Sequence, residues 1–279
     1  MNRSGIPYLT HTWSPTTGCS PVSVGCENCW AASYHRRWRK PFAPTFHPEK
    51  LDEPLRLRKP AVIGVSFMGD LFHEEIDSWD IKSILCRMNA AASHRFLVLT
   101  KRPRRMQREV SAHVAAQRGY IEPNVYLGVS VEDQATADER IPILLDTPAA
   151  HRWVSLEPQI GPVALQPWLS RGIVNRDGTE ITREQLMADE SGVFRARDAV
   201  DWVIQGCESG ARRRPFDIGW ARSVRDQCAE AGCAYYLKQM PKAGDGMPLT
   251  GKTPLARGVR EKPTLDGRQH LDLPWEVRP

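Results

Sequence analysis

Cys19, Cys26 and Cys29 fall within eleven residues, at the spacing Cys-x6-Cys-x2-Cys. Three thiols on one short loop are soft donors that suit a soft metal or a cluster. Gly18 and Gly25 give the backbone freedom to wrap around an ion or cluster. Two occupants match this donor set: an iron–sulfur cluster with one iron left open, or zinc with a fourth ligand from His11 or His35. The chain has seven cysteines in all. Its first ten residues lack the apolar core of a signal peptide, so a reducing, cytoplasmic compartment is expected, where disulfides are a poor use for clustered thiols. Cys86, Cys228 and Cys233 sit on helix or strand faces and read as packing residues. Cys207 lies at a strand end and stays unassigned.

A loop of this kind needs a scaffold to position it. The chain's 279 residues suit one large domain or two small ones, and an apolar share of 41% with 25% charged residues is that of a globular protein. Apolar, β-branched runs over 9–13, 62–67, 96–100, 125–131, 153–156, 202–205 and 234–237 read as strands buried on both faces. None is long enough to cross a bilayer. Amphipathic helices lie between them. One starts near Asp77 and Ser78, with Ile81, Ile84, Leu85 and Met88 on one face. One runs from Pro103 to a stop at Gly119, and one follows Asp217 and ends at Gly232. This alternation predicts an α/β fold: a partial TIM-like (β/α) barrel of about six to seven parallel strands over residues 1–240. Residues 167–199 read as a charged, turn-rich insertion, and 241–279 as an irregular C-terminal extension packed on the barrel. There is no internal repeat.

Polar signatures follow the predicted strands at their carboxyl ends, where parallel α/β folds build their sites. They include Gly69-Asp70, Thr100-Lys101-Arg102, Ser130 with Glu132, Ser155-Leu156-Glu157, Cys207-Glu208 and Lys238-Gln239. The predicted cysteine loop follows the first strand and opens on the same face. The net charge is only +5, but the basic residues cluster. Arg36, Arg37, Trp38 and Arg39 follow the cysteines, Arg102 follows the third strand, and Arg212 and Arg213 follow the sixth. Three basic clusters around one mouth, with Trp38 to stack on a base, match a phosphate-bearing partner such as DNA or RNA. No base-reading motif accompanies them.

The ordered set of motifs resembles the phage-associated three-Cys-motif family, which is similar to radical SAM proteins. The set is Thr12-Trp13-Ser14-Pro15-Thr16-Thr17-Gly18-Cys19, Gly25-Cys26-Glu27-Asn28-Cys29, Gly69-Asp70-Leu71-Phe72-His73, Leu99-Thr100-Lys101-Arg102-Pro103, Gly128-Val129-Ser130-Val131-Glu132, Ser155-Leu156-Glu157-Pro158 and Glu208-Ser209-Gly210. The resemblance implies a radical-SAM-like barrel with a [4Fe-4S] cluster on Cys19, Cys26 and Cys29 and S-adenosylmethionine chelating the open iron. Reductive cleavage would give a 5′-deoxyadenosyl radical that takes hydrogen from substrate. It also implies that Gly69 and Asp70 meet the methionine amino group, that Ser130 and Glu132 accept ribose hydroxyls, and that Glu157, Glu208 and Lys101 act on substrate or cosubstrate. The spacing departs from that of most radical SAM proteins, which separate the first two cysteines by three residues and place an aromatic before the third. Here the aromatic, Trp30, follows it.

The reading is an iron–sulfur enzyme that cleaves S-adenosylmethionine to modify or repair a nucleic acid or nucleotide, in the cytoplasm of a bacterium or a phage-infected host. Further expectations are a partner protein encoded nearby and no membrane association. The alternative is a non-enzymatic zinc or iron–sulfur module that binds nucleic acid or a partner. Hydrolysis in a carboxylate-lined pocket ranks last, because the sequence shows no nucleophile–base motif.

Overall fold

The computed structural model describes residues 1–170, 173–174, 195–196, 198–210, 212–242, 248–249 and 262–276. Most of the insertion expected over 167–199 lies outside the described residues, as does much of 241–279. Eight strands form the main sheet: β1 (Asn2–Arg3), β2 (His11–Trp13), β3 (Val62–Val65), β4 (Arg95–Thr100), β5 (Val125–Ser130), β6 (His151–Leu156), β7 (Trp202–Gly206) and β8 (Ala234–Gln239). Their spatial order is their chain order. β1 is antiparallel to β2, and the other seven run parallel.

That order separates the two arrangements that strand–helix alternation allows. A doubly wound sheet reverses its strand order at a switch point. Here the order never reverses, so right-handed crossovers put the helices on one face and the sheet curls away from them. The curl is visible in Tyr8, which precedes β2 yet packs edge-on against Trp202 of β7 and Tyr236 of β8, both with ring centroids 5.4 Å away. The fold is a partial (β/α) barrel of seven parallel strands.

The crossover helices are α1 (Trp30–Arg37), α2 (Ser78–Ala90), α3 (Pro103–Ala116), α4 (Gln134–Leu145), the single turn α5 (Gln166–Leu169) and α6 (Ile218–Ala231). Their ends follow local chemistry. Asp77 caps α2 by accepting from the Trp79 N–H at 2.7 Å, Asp133 and Thr136 form a capping box on α4, and α6 runs from Asp217 to a left-handed Gly232 at φ +67°. β3 is shorter than its apolar run. Ser66 turns the chain at φ +56°, and its hydroxyl accepts from both Thr16 N–H and Thr16 O–H.

Alternation along the strands sorts side chains into two layers. Phe96, Val98, Val129, Val154, Val203 and Leu237 face the helices. Leu97, Tyr126, Trp153, Trp202, Ile204 and Tyr236 face inward and fill the amino-terminal end of the barrel. The segment 270–275 closes that end: Leu237 N–H bonds to His270 O, the Trp202 indole donates to Asp272 O, and Trp275 packs against Tyr126 and Trp202. Toward the carboxyl end the same inward rows turn polar, at Ser130, Ser155 and Lys238. An apolar plug below and a polar mouth above leave a single end of the barrel fit for chemistry.

Candidate functional site

A cavity of about 380 Å³ opens at the carboxyl ends of the strands. Cys19, Cys26 and Cys29 all line it, facing Asp70, Glu157, Cys207, Glu208 and Lys238, while Tyr8, Phe67, Leu99 and Trp30 supply apolar walls. The mouth therefore brings together thiols, carboxylates and ammonium groups from strands far apart in sequence.

The cysteine loop is fastened to four different strand ends. Beside β3, Gly18 and Gly69 meet backbone to backbone: a methyl on Gly69 would lie 2.6 Å from the Gly18 carbonyl oxygen. Gly18 itself has φ +82°, and a side chain there would strike the Ala43 carbonyl. Beside β4, Arg102 donates to the Cys19 sulfur at 3.4 Å, to Ser20 O and Oγ, and to the carboxylates of Asp70 and Glu74. Beyond β5, Glu132 accepts from Ser23 Oγ at 3.0 Å and sits where a Gly25 side chain would be. Beyond β7, Asn28 donates to Glu208 and to Arg212 O, and Arg214 joins Glu208 to Val24 O. Cys29 then stands at the amino end of α1, as the residue that precedes its first turn.

These attachments set the electrostatics. Burial, with Asp70 nearby, pushes the Cys19 thiol up to about 11, and the Arg102 guanidinium acts in the opposite sense. Burial acts to raise the Glu208 carboxyl too, but Arg214 and Asn28 outweigh it and hold the group below the usual carboxylate range. Burial pushes Cys207, the fourth thiol of the cavity, up to about 12. Burial and Arg102 lower the His73 pKa, favouring the neutral ring at pH 7. His73 Nδ1 accepts from the Glu75 N–H, so its Nε2 carries the proton and donates to Ser20 Oγ at 2.7 Å. A ring that donates to a serine does not activate it as a base, and this neighbouring pair is no nucleophile–base dyad.

Several expected roles change in the fold. Glu132 has a fully buried side chain bound by Lys101, Arg140 and Ser23, and it does not line the cavity, so it is not placed to receive a ribose. The reason is Arg140, which reaches back from α4 to Glu132 and to Ser130 O at 2.7 Å. Arg102 is buried under the cysteine loop instead of standing on a basic rim. His11 bonds to Thr10, and His35 bonds to Pro41 O; neither lines the cavity, so neither completes a zinc site with the thiols. Asp70 lines the cavity, but its carboxylate already accepts from Thr100 Oγ1, Phe72 N and Arg102. Gly69, Ser130 and Lys101 line the cavity as well, with the Lys101 ammonium on Glu132. Glu157 faces inward, bonded to Lys238 at 2.7 Å and Ser155 at 3.1 Å. Arg36, Arg37, Trp38, Arg39 and Arg212 are exposed, while Arg213 is half-buried and donates to Gly210 O.

Sequence reasoning did not single out Ser23 or Arg140, and it took Asn28 only as a motif residue and Arg214 only as part of the basic run 212–214, not as braces of the loop. The signal present was a charge or amide within a few residues of an expected site residue.

The donor set bears on which group the thiols could hold. Among the described residues no three His, Cys, Asp or Glu side chains are already gathered around one metal position, for zinc or for a cluster. Three thiols around one cavity, with no histidine in its lining, fit a cluster whose irons each take one cysteine and leave one iron open.

Fold and site together define a partial (β/α) barrel protein with a three-thiol loop across its mouth. A family described as "Protein of unknown function (DUF5131)" matches residues 3–274, and the chain belongs to that family. No curated protein sequence matches it. Among solved structures it is similar to a spore photoproduct lyase variant, with 11% identity over 89% of this chain and 70% of that one, at a TM-score of 0.45. It is also similar to a spore photoproduct lyase variant with bound AdoMet and dinucleoside spore photoproduct, with 12% identity over 86% and 68% of the two chains, at a TM-score of 0.42. Among the described residues no helix is long and apolar enough to cross a membrane.

Proposed function

We propose that this protein is an iron–sulfur enzyme of the radical S-adenosylmethionine type, acting on a nucleic acid or nucleotide. The observation that carries the reading is the loop Cys19–Cys29, whose three thiols line one cavity at the carboxyl ends of a sequentially ordered parallel barrel. In this reading Cys19, Cys26 and Cys29 hold a [4Fe-4S] cluster, and the three-cysteine motif is its sequence mark. Bound there, such a cluster would supply one-electron reducing chemistry toward S-adenosylmethionine.

The chain's own residues divide the remaining work. Arg102 donates to the Cys19 sulfur and holds the loop to β4. Asp70, braced by Thr100 and the Phe72 N–H, keeps a carboxylate at the cavity wall where a cosubstrate ammonium can approach. Ser130 and Ser155 offer hydroxyls to a ribose, and the Glu157–Lys238 pair offers one acceptor and one donor deeper in the mouth. Tyr8, Phe67 and Leu99 exclude water from that floor.

Anaerobic reconstitution with iron and sulfide tests this. The expected result is a brown protein whose reduced EPR signal changes on adding S-adenosylmethionine and which releases 5′-deoxyadenosine. Freshly purified protein holding one zinc, with no iron or sulfide, overturns it.

A further inference from the structure

Helix α1 inverts the usual amphipathic arrangement. Its inward positions are small or polar: Ala31 and His35 are buried, with the His35 ring 4.8 Å from that of Phe42. Its outward face carries Trp30, Tyr34 and Trp38, with 50%, 44% and 58% of their surfaces exposed. Eight large apolar side chains are this exposed among the described residues, and five of them lie from Val22 to Trp38. An exposed cluster of this kind marks a binding surface, whereas scattered single residues do not.

The spacing i, i+4, i+8 sets the three rings along one stripe of the helix, rising about 12 Å from Trp30 to Trp38. Trp30 is also a wall of the cavity, so the stripe begins at the mouth and leads away from it. Tyr34 and Trp38 have ring centroids 6.4 Å apart. The same stretch is unopposed in charge: Arg36, Arg37, Arg39 and Lys40 are all exposed, and no acidic residue occurs between Glu27 and Glu49. The Arg37 guanidinium lies 5.9 Å over the Trp38 ring, which sets a cation beside a stacking face. Rings with interleaved arginines match a polyanion that also has flat apolar faces, which is the chemistry of unpaired nucleotides.

We infer that Trp30, Tyr34 and Trp38 form a rail on which the unpaired bases of a single-stranded nucleic acid stack next to the nucleotide that enters the cavity, while Arg36, Arg37 and Arg39 take its phosphates. This deepens the proposed function and rests on its nucleic-acid substrate, but not on its cluster. A duplex hides its base faces and is a poor ligand for the rail, and the binding is sequence-tolerant because every base has a face to offer.

Fluorescence anisotropy with the full chain and a labelled twelve-nucleotide oligothymidylate tests this, with the matching duplex and phosphatidylglycerol vesicles as competitors. The single strand is expected to bind and to quench tryptophan emission, with the duplex binding more weakly. Trp38→Leu should weaken binding by about tenfold and Trp38→Phe far less, since leucine keeps the apolar surface but has no ring to stack. Trp79→Leu, at an exposed tryptophan of α2 away from the rail, should leave binding unchanged. Circular dichroism confirms that each variant is folded. Equal binding by Trp38→Leu and wild type overturns the rail. So does preference for duplex, or competition by the vesicles that Trp38→Leu resists as well as wild type. Metal and sulfide content of the wild type is measured separately after anaerobic reconstitution: a protein that takes up no cluster there and still binds the strand through Trp38 overturns the cluster reading alone.

Discussion

Two groups of basic side chains flank the same mouth and do opposite things. Lys101, Arg102, Arg140 and Arg214 each lie against a carboxylate, and Arg102 and Arg140 are almost wholly buried. Arg36, Arg37 and Arg39 stand in solvent, and Arg37 lies over the Trp38 ring. In sequence Lys101 and Arg102 look like the arginines beside the cysteines, as basic residues next to an expected site, while Arg140 lies within α4. The difference shows that a charge near a strand end can be spent on holding backbone in place. The cysteine loop has little regular structure of its own, so buried ion pairs and glycine packing fix it across the mouth. The first group positions the thiols; the second faces outward, where a partner can meet it.

The contrast is sharpest at Glu132, and the largest effect is expected there. Glu132→Ala leaves Lys101 and Arg140 facing each other without their shared carboxylate. Removing one partner of a buried pair costs about 3–5 kcal/mol, because the remaining charge is uncompensated. Urea unfolding should show this destabilisation. Without the Ser23 anchor, the iron retained after reconstitution should fall as well. A change within about 0.5 kcal/mol would mean that Glu132 is not the hub of the paired group.

The second effect concerns the close approach of two glycines. Gly69→Ala drives a methyl to 2.6 Å from the Gly18 carbonyl oxygen, and backbone on both sides must move to admit it. Overpacking of this kind costs about 1–3 kcal/mol. The expected signature is a lower unfolding midpoint together with protease sensitivity confined to residues 18–29. Gly5→Ala, which meets nothing within 4 Å, is the control.

Much of the barrel was legible in the sequence, because a strand buried on both faces announces itself by its composition and a capped helix by its ends. Asp77, Asp217 and Gly232 mark helix ends that depend on hydrogen bonds within a few residues. Local rules reach no further. Asn28 and Glu208 are 180 positions apart, and Arg140 reaches Glu132 only because α4 folds back over β5. The polar residues at the mouth were therefore visible as a set, while the division between those that brace the loop and those that face the cavity was not. Glu132 shows the mismatch most plainly: its position after β5 suggests a ligand-binding role, yet Arg140 claims it. α1 presents the reverse case. Its outward aromatics break the rule that large apolar side chains turn inward, and such a break points to a binding surface.

A smaller effect is expected at the Glu208–Arg214 pair, which ties the loop to the far side of the barrel. Because the Glu208 pKa is held down in the folded state, its contribution is present above the ordinary glutamate range near about pH 4.3 and disappears as the pH falls through the lowered folded value. Arg214→Ala should cost about 1–2 kcal/mol at pH 7, since Glu208 keeps Asn28 as a donor. The difference between Arg214→Ala and wild type should shrink below about pH 4. An acid-unfolding series on both proteins reads this directly, and a difference that grows in acid would reverse the sign assigned to the pair.

The smallest stability effect belongs to the exposed group, and it completes the comparison. Arg36→Ala removes a solvated guanidinium from an exposed helix face, and unfolding free energy should stay within about 0.5 kcal/mol of wild type. Its consequence should appear only with a polyanion present. For a single strand, each phosphate that a side chain neutralises adds about 0.7 to the steepness of log binding constant against log salt. Titrating the labelled oligonucleotide between about 50 and 200 mM salt should therefore give Arg36→Ala a shallower slope with its folding unchanged. A mutant that unfolds more easily while keeping the full slope would place Arg36 with the bracing arginines and dissolve the distinction between the two groups.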